Sequence, residues 1–316
     1  MIVVFGSSGV VGRALLEELA LGHEPVLALY RSHCPIHTNR AARARGARDV
    51  VDGSRMRRGG PSYAELESAR VDLTTGEGVK EALRGARSVF LLTADMPDQA
   101  AAEIRVVEAA ARARVPRIVK LSVRSAETEA FAYARTHRAV ERVIEDSGMS
   151  FTFLRPGAFM QNFIHYHGEG IRRERCIRLP CADTREPLID ARDIARVAAR
   201  CLVSDVYAGR VLELSGPEVL SYHHVAEKIS AATGQTISYI PTSEEAYRAS
   251  AAHVFSAEQL DELLELLRFH RERPPFAPTD TVREVTGRDP QTFDVFAREH
   301  AAEWTVSAVH EELRRA

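Results

Sequence analysis

Apolar residues in the first two thirds of the chain follow two alternating rhythms. Short apolar runs such as "IVVF", "PVLALY", "SVFLLT", "RIVKLS" and "FTFLR" alternate with longer stretches whose apolar positions fall three and four apart, as in "VVGRALLEELAL" and "QAAAEIRVVEAAARA". A short uninterrupted run fits a strand buried on both faces, and the wider spacing fits a helix laid over it. This alternation predicts βαβ units and a parallel sheet. We expect strands over 2–5, 25–30, 70–72, 88–93, 117–122 and 151–155, and a late strand over 211–214. Helices are expected over 11–21, 76–83, 99–113 and 131–147.

One connection breaks the rhythm. Residues 32–69 are rich in arginine and small side chains, and Arg40, Arg43 and Arg45 fall within them. Two segments there compete for the third strand, "GARDVVDG" and "ARVDLTTGEGVKEALRG". The second leads straight into a helical pattern that ends at a glycine, so the strand is placed there and the first becomes an insertion, a surface flap. After Arg155 loop-rich segments are broken by helices expected over 191–202, 221–233 and 256–271. The fold class is therefore α/β: a Rossmann-type, doubly wound parallel sheet over 1–155, completed by the late strand, and a smaller C-terminal substrate-binding lobe over 156–316.

Gly6, Gly9 and Gly12 stand between the first strand and the first helix, in "VVFGSSGVVGRALLEEL". A helix N-terminus presents unpaired N–H groups and the positive end of its dipole, which attract phosphate. Gly6 makes the tight turn, Gly9 lets the backbone approach a pyrophosphate together with Val10 and Val11, and Gly12 lets the helix pack closely. Ser7 and Ser8 add hydroxyl donors. The spacing is G-x-x-G-x-x-G, and the strand, turn and helix around it favour a dinucleotide motif over the alternative, a purely structural turn. The second strand ends on Arg31, where an acidic residue would bind the ribose of NAD. A guanidinium there suits the 2′-phosphate of NADP; the alternative is a solvated arginine at a strand end.

Composition narrows the classes. A net charge of −2 gives no field that favours nucleic acid or an anionic membrane. No apolar run approaches the ~20 residues a bilayer needs, and the chain starts directly on a strand without a basic leader, so a cytoplasmic location is expected. Cys34, Cys176, Cys181 and Cys201 lack metal-ligand spacing, so they read as reduced thiols and no metal is expected.

Seven segments, from "FGSSGVVGRALLEELALGHEPVLALYR" through "VKEALRGARSVFLLT", "RVPRIVKLSVRSA", "VERVIEDSGMSFTFLRPGAFMQNF", "PLIDARDIARVAARCL" and "GRVLELSGPEVLSYHHVAEKISAATGQTISYI" to "VREVTGRDPQTFDVFAREHAAEW", are spread along nearly the whole chain. They resemble the NmrA-like branch of the atypical short-chain dehydrogenases/reductases. The resemblance implies NADP(H) bound near the ends of strands four to six, with Thr93 and Ser122 lining it. Pro156, Gly157 and Phe159 would border the nicotinamide and the substrate pocket. Phe159 and Met160 are substrate candidates and are equally readable as core, the reading preferred for Phe163.

The wider family carries a Tyr-x-x-x-Lys pair after strand five, in which lysine lowers the tyrosine pKa and holds the ribose. This chain has Tyr133-x-x-x-His137, with Glu141 one turn on. At 100° per residue Tyr133, His137, Val140 and Ile144 share one face, which should point inward. Tyr133 and His137 are the catalytic candidates, and His137 is also a cofactor candidate. A histidine can hold the ribose or relay a proton, but it is not a permanent cation; buried, satisfied side chains are the alternative. His165 and His167 follow "FMQNF" and either reach the pocket or lie on a surface loop. Asp190 and Asp193 read as capping and packing residues.

Two functions follow. The first is an NADPH-dependent reductase that transfers a hydride to a C=O, C=N or C=C of a quinone or another conjugated small molecule. The second, suggested because NmrA itself is a regulator, is a non-catalytic NADP-binding redox sensor that acts through a protein partner, with the Arg-rich insertion as its surface. The helices over 99–113 and 131–147 are candidates for pairing two subunits in a homodimer.

Overall fold

The structure is a computed structural model that describes residues 1–31, 65–94, 96 and 98–305. Six strands, β1 (Ile2–Val4), β2 (Val26–Tyr30), β3 (Leu66–Arg70), β4 (Ser88–Leu91), β5 (Arg117–Leu121) and β6 (Ser150–Pro156), join a late strand, Arg210–Leu214, in one sheet. Its order is β3-β2-β1-β4-β5-β6 and then the late strand, with every pairing parallel. The strand order reverses between β1 and β4, so a crevice opens beyond their carboxyl ends, where ligands of such sheets bind.

Both faces are covered, as uninterrupted apolar strands require. One face holds Val4, Phe90 and Val119 against the Val10–Leu19 helix and the Ala191–Val203 helix. The other holds Val3, Val89 and Ile118 against the Gln99–Arg112 and Ala132–Asp146 helices.

One expectation needs correction. Of the residues expected in the third strand, 70–72, only Arg70 lies in it. Asp72 Oδ1 accepts from the N–H groups of Thr74 at 2.7 Å and Thr75 at 3.3 Å, and this side-chain turn ends the strand early. The competing "GARDVVDG", Cys34, Arg40, Arg43 and Arg45 lie outside the described residues. Besides the late strand, other parts of the chain after residue 156 return to the sheet. The Ala191–Val203 helix and Val282 pack into the core of the sheet, because their apolar stripes match its open face.

The second lobe has its own core, with Phe163, Ile177, Ile229, Phe293, Phe296 and Trp304 all buried. Two small sheets frame it: Cys176–Leu179 pairs with Ser238–Pro241, and Arg185–Glu186 with Leu220–Ser221. The Trp304 indole N–H donates to the Phe163 carbonyl at 2.8 Å, which satisfies its polar atom in the core. Cys176, Cys181 and Cys201 are free, buried thiols.

Among the described residues, no helix is long and apolar enough to cross a membrane. Part of the outer side of the Ala132–Asp146 helix is taken by the Ala257–Arg271 helix, through Arg135 Nη2 and Glu265 Oε2 at 2.8 Å.

Candidate active site

The crevice beyond β1 and β4 is shaped first by backbone. Gly6 takes φ +73°, and a Cβ there would lie 2.4 Å from the Leu92 carbonyl oxygen. A Cβ on Gly12 would stand 2.1 Å from the Gly6 carbonyl oxygen. Only glycine permits this turn and this close packing. No side chain caps the Val10–Leu19 helix at Gly9, so the first turn of the helix, which borders the crevice through Gly9, Val10 and Val11, keeps N–H groups without a side-chain cap.

Around this turn lies a cleft of about 560 Å³, lined by Gly6, Ser8, Gly9, Val10 and Val11 on one wall. Thr93, Ser122, Pro156 and Gly157 line it from β4, β5 and β6, and Tyr133 and His137 from the Ala132–Asp146 helix. A second hollow, about 390 Å³, shares Gly6, Ser8 and Thr93 and extends to Tyr30, Arg31 and Thr74. The exposed Arg31 is thus a cation at the far end of the same crevice. Ser7 departs from expectation: it is fully buried and its hydroxyl donates to the Leu29 carbonyl. It ties β1 to β2 and leaves Ser8 as the serine at the cleft.

A third cavity, about 210 Å³, adjoins the cleft and shares Tyr133, Phe159, Asn162 and Tyr166 with it. Its walls are aromatic and aliphatic, among them Phe163, Tyr222, Tyr247 and Leu267. Phe159 borders both spaces. Met160 lines neither: it is buried in the core of the second lobe, because the chain turns inward after Phe159. The exposed His165 lines the cleft and His167 the aromatic cavity, where burial pushes the His167 imidazole down to about 4.

Behind the cleft is a polar network that the sequence did not reveal. The Thr93 hydroxyl donates to Glu103 Oε1 at 2.8 Å. Lys120 Nζ lies 3.0 Å from Glu103 Oε2 and 3.1 Å from His137 Nδ1. Glu103 and Lys120 are fully buried. Burial, and then the charge of Lys120, hold His137 well below the ordinary histidine range. Both influences favour the neutral ring. Glu141, one turn on, faces away from this network and binds Arg155. Asp190 caps the Ala191–Val203 helix by accepting from the Arg192 N–H at 2.8 Å, and Asp193 is buried against Arg196 and the Gln291 N–H.

The chain can hold a dinucleotide on its own atoms. The glycine turn brings bare backbone to the crevice, and the Ser122 hydroxyl, buried in the cleft, has no hydrogen-bond partner among the described residues. A buried donor in that position calls for a ligand.

Comparison with known proteins agrees. The chain is 31% identical over 306 residues to the NAD(P)H azoreductase of Xenophilus azovorans, covering 96% of this chain and 98% of that one. It is 31% identical over 307 residues to the (4-alkanoyl-5-oxo-2,5-dihydrofuran-3-yl)methyl phosphate reductase of Streptomyces griseus subsp. griseus, covering 95% and 98%. Its fold is that of an NADPH-dependent quinone oxidoreductase from Escherichia coli crystallised with NADPH, with a TM-score of 0.77, 20% identity and coverage of 95% and 99%. The NmrA-like family matches residues 1–313. The chain belongs to the NmrA-like family.

Proposed function

We propose that the protein is an NADPH-dependent reductase that transfers a hydride to a C=O, C=N or C=C of a flat, conjugated small molecule. The observation that carries this reading is the continuity of the glycine-lined cleft with an aromatic cavity, through Tyr133, Phe159, Asn162 and Tyr166. The bound nicotinamide would supply the hydride, and the protein supplies position and polarity. Gly9, Val10 and Val11 offer backbone N–H groups to a pyrophosphate. Arg31 faces the 2′-phosphate end, and Ser122 donates its unused hydroxyl. Phe159, Phe163 and Tyr222 give a planar acceptor apolar surfaces to lie against. Tyr133, at the junction of the two spaces, is the hydroxyl placed to protonate the reduced acceptor. Two reductases alike over nearly the whole chain support the same reading.

The test is a fluorescence titration with NADPH and NADH, followed by NADPH oxidation with a panel of quinones, imines and azo dyes. We expect tighter binding of NADPH and turnover of at least one conjugated acceptor. Tight binding with no turnover on any acceptor would overturn the reductase reading in favour of a dinucleotide sensor.

A further inference from the structure

The helix lacks the lysine expected four residues after Tyr133, yet a lysine reaches the site from the neighbouring strand. Lys120 lies on β5 and Glu103 on the Gln99–Arg112 helix, and both are fully buried. An ammonium group has three hydrogens to donate and no lone pair to accept with. Lys120 Nζ has three acceptor groups around it. They are the Leu121 carbonyl, the Glu103 carboxylate at 3.0 and 3.3 Å from its two oxygens, and His137 Nδ1 at 3.1 Å. With every ammonium hydrogen committed, Nδ1 accepts, and the single proton of the neutral ring sits on Nε2. The Nδ1 edge is turned to the buried lysine while the ring lines the cleft, so the Nε2 edge is left for the cleft.

We propose that Lys120 is a positioning residue for the reductase, acting through His137 to fix the ring as a neutral Nε2–H donor toward a hydroxyl or carbonyl oxygen of the bound ligand. The kinetic part of this proposal rests on the reductase reading; the tautomer does not. Protonating Nδ1 would set its N–H against the ammonium in a buried place, so the network holds one state of the ring. Glu103 balances the charge of Lys120, and the Thr93 hydroxyl donates to its Oε1. The cleft thus gains a fixed donor without a net charge, which suits an uncharged acceptor.

The groups around His137 leave the lysine as the one that decides its state. On its own helix Tyr133 and Glu141 lie one turn away on either side, and Glu141 is bound to Arg155 and Arg138. β5 contributes Lys120, and the Gln99–Arg112 helix contributes Glu103 through it. From the segment after β6, Asn162 and His165 line the same cleft.

Long-range ¹H–¹⁵N spectra of the full chain labelled at histidine nitrogens, with His137 assigned by His137→Gln, test this. We expect the Nε2–H form of His137 at pH 8 and still at the ordinary histidine value of ~6.5. The double variant Glu103→Gln/Lys120→Met removes both buried charges together, so neither is left unpaired. In it His137 should titrate near ~6.5, kcat should fall about ten-fold and the kcat profile should gain an inflection at that pH. An Nδ1–H ring in the native protein, or unchanged His137 titration in the double variant, would overturn the proposal whatever the acceptor panel returns. A silent panel with the Nε2–H form intact overturns the reductase reading alone.

Discussion

Glu141 and Arg155 form a two-pronged ion pair, Nε to Oε1 at 3.0 Å and Nη2 to Oε2 at 2.6 Å. Glu141 has no exposed surface and Arg155 very little. The pair joins the helix that carries Tyr133 and His137 to the strand that delivers Pro156 and Gly157, so it sets the spacing of two walls of the cleft.

Removing one member of such a pair leaves the other buried and under-compensated. Glu141→Ala should therefore cost about 3 kcal/mol in denaturant-unfolding stability. Glu127 also touches Arg155, but it is half exposed. Glu127→Ala should cost no more than about 1 kcal/mol by the same measurement.

Gly12→Ala asks for space that the Gly6 carbonyl oxygen occupies. Relief requires the helix to move off the turn, at a cost of roughly 1–3 kcal/mol. Thermal melts should register the lost stability, and a fluorescence titration should find NADPH affinity lowered, because the turn that borders the crevice is the part that must shift.

Arg31→Asp should separate the two cofactors. A hydrogen bond to a charged group is worth about 1.5–3 kcal/mol, so NADPH affinity should fall on the order of ten- to a hundred-fold and NADH affinity much less. Parallel Kd measurements check this, and an equal loss for both would remove Arg31 from 2′-phosphate recognition.

His167 ties stability to acid. Burial takes its imidazole from 6.5 to about 4, so the folded protein favours the neutral ring. As pH falls the unfolded chain takes up the proton first. The stabilisation is complete above pH 6.5 and is lost progressively as the pH falls toward 4. Tm measured across that window should decline in the native protein and decline less in His167→Gln, the remaining slope falling to His137 and His300, which are lowered too.

The sheet and its glycine turn were legible because each is written in consecutive residues. "IVVFGSSGVVG" carries its own strand, turn and helix start, and the Gln99–Arg112, Ala132–Asp146 and Ala191–Val203 helices fall within a residue or so of their apolar stripes. The network behind the cleft was not, because its members come from four elements that only the topology unites. Two signals were nevertheless present. Lys120 sits inside "RIVKL", a strand buried on both faces, where a charge requires a partner. Glu103 falls on the stripe of Val106, Val107 and Ala110, where a surface carboxylate would not be. Ser7 misled for the opposite reason, since a serine in a phosphate loop invites a ligand role and only the fold reveals the Leu29 carbonyl beside it.

The strand Arg210–Leu214 pairs with β6 along its length, from Thr152 opposite Arg210 to Pro156 opposite Leu214. It arrives more than fifty residues after β6, with most of the helix that covers the sheet already made. During synthesis, then, the nucleotide half cannot close when its own residues end. Until Arg210–Leu214 is made, β6 is the outer strand on that side of the sheet, and afterwards the late strand takes that place. A chain cut at residue 155 would lack both the strand that pairs with β6 and the Ala191–Val203 helix that covers one face of the sheet.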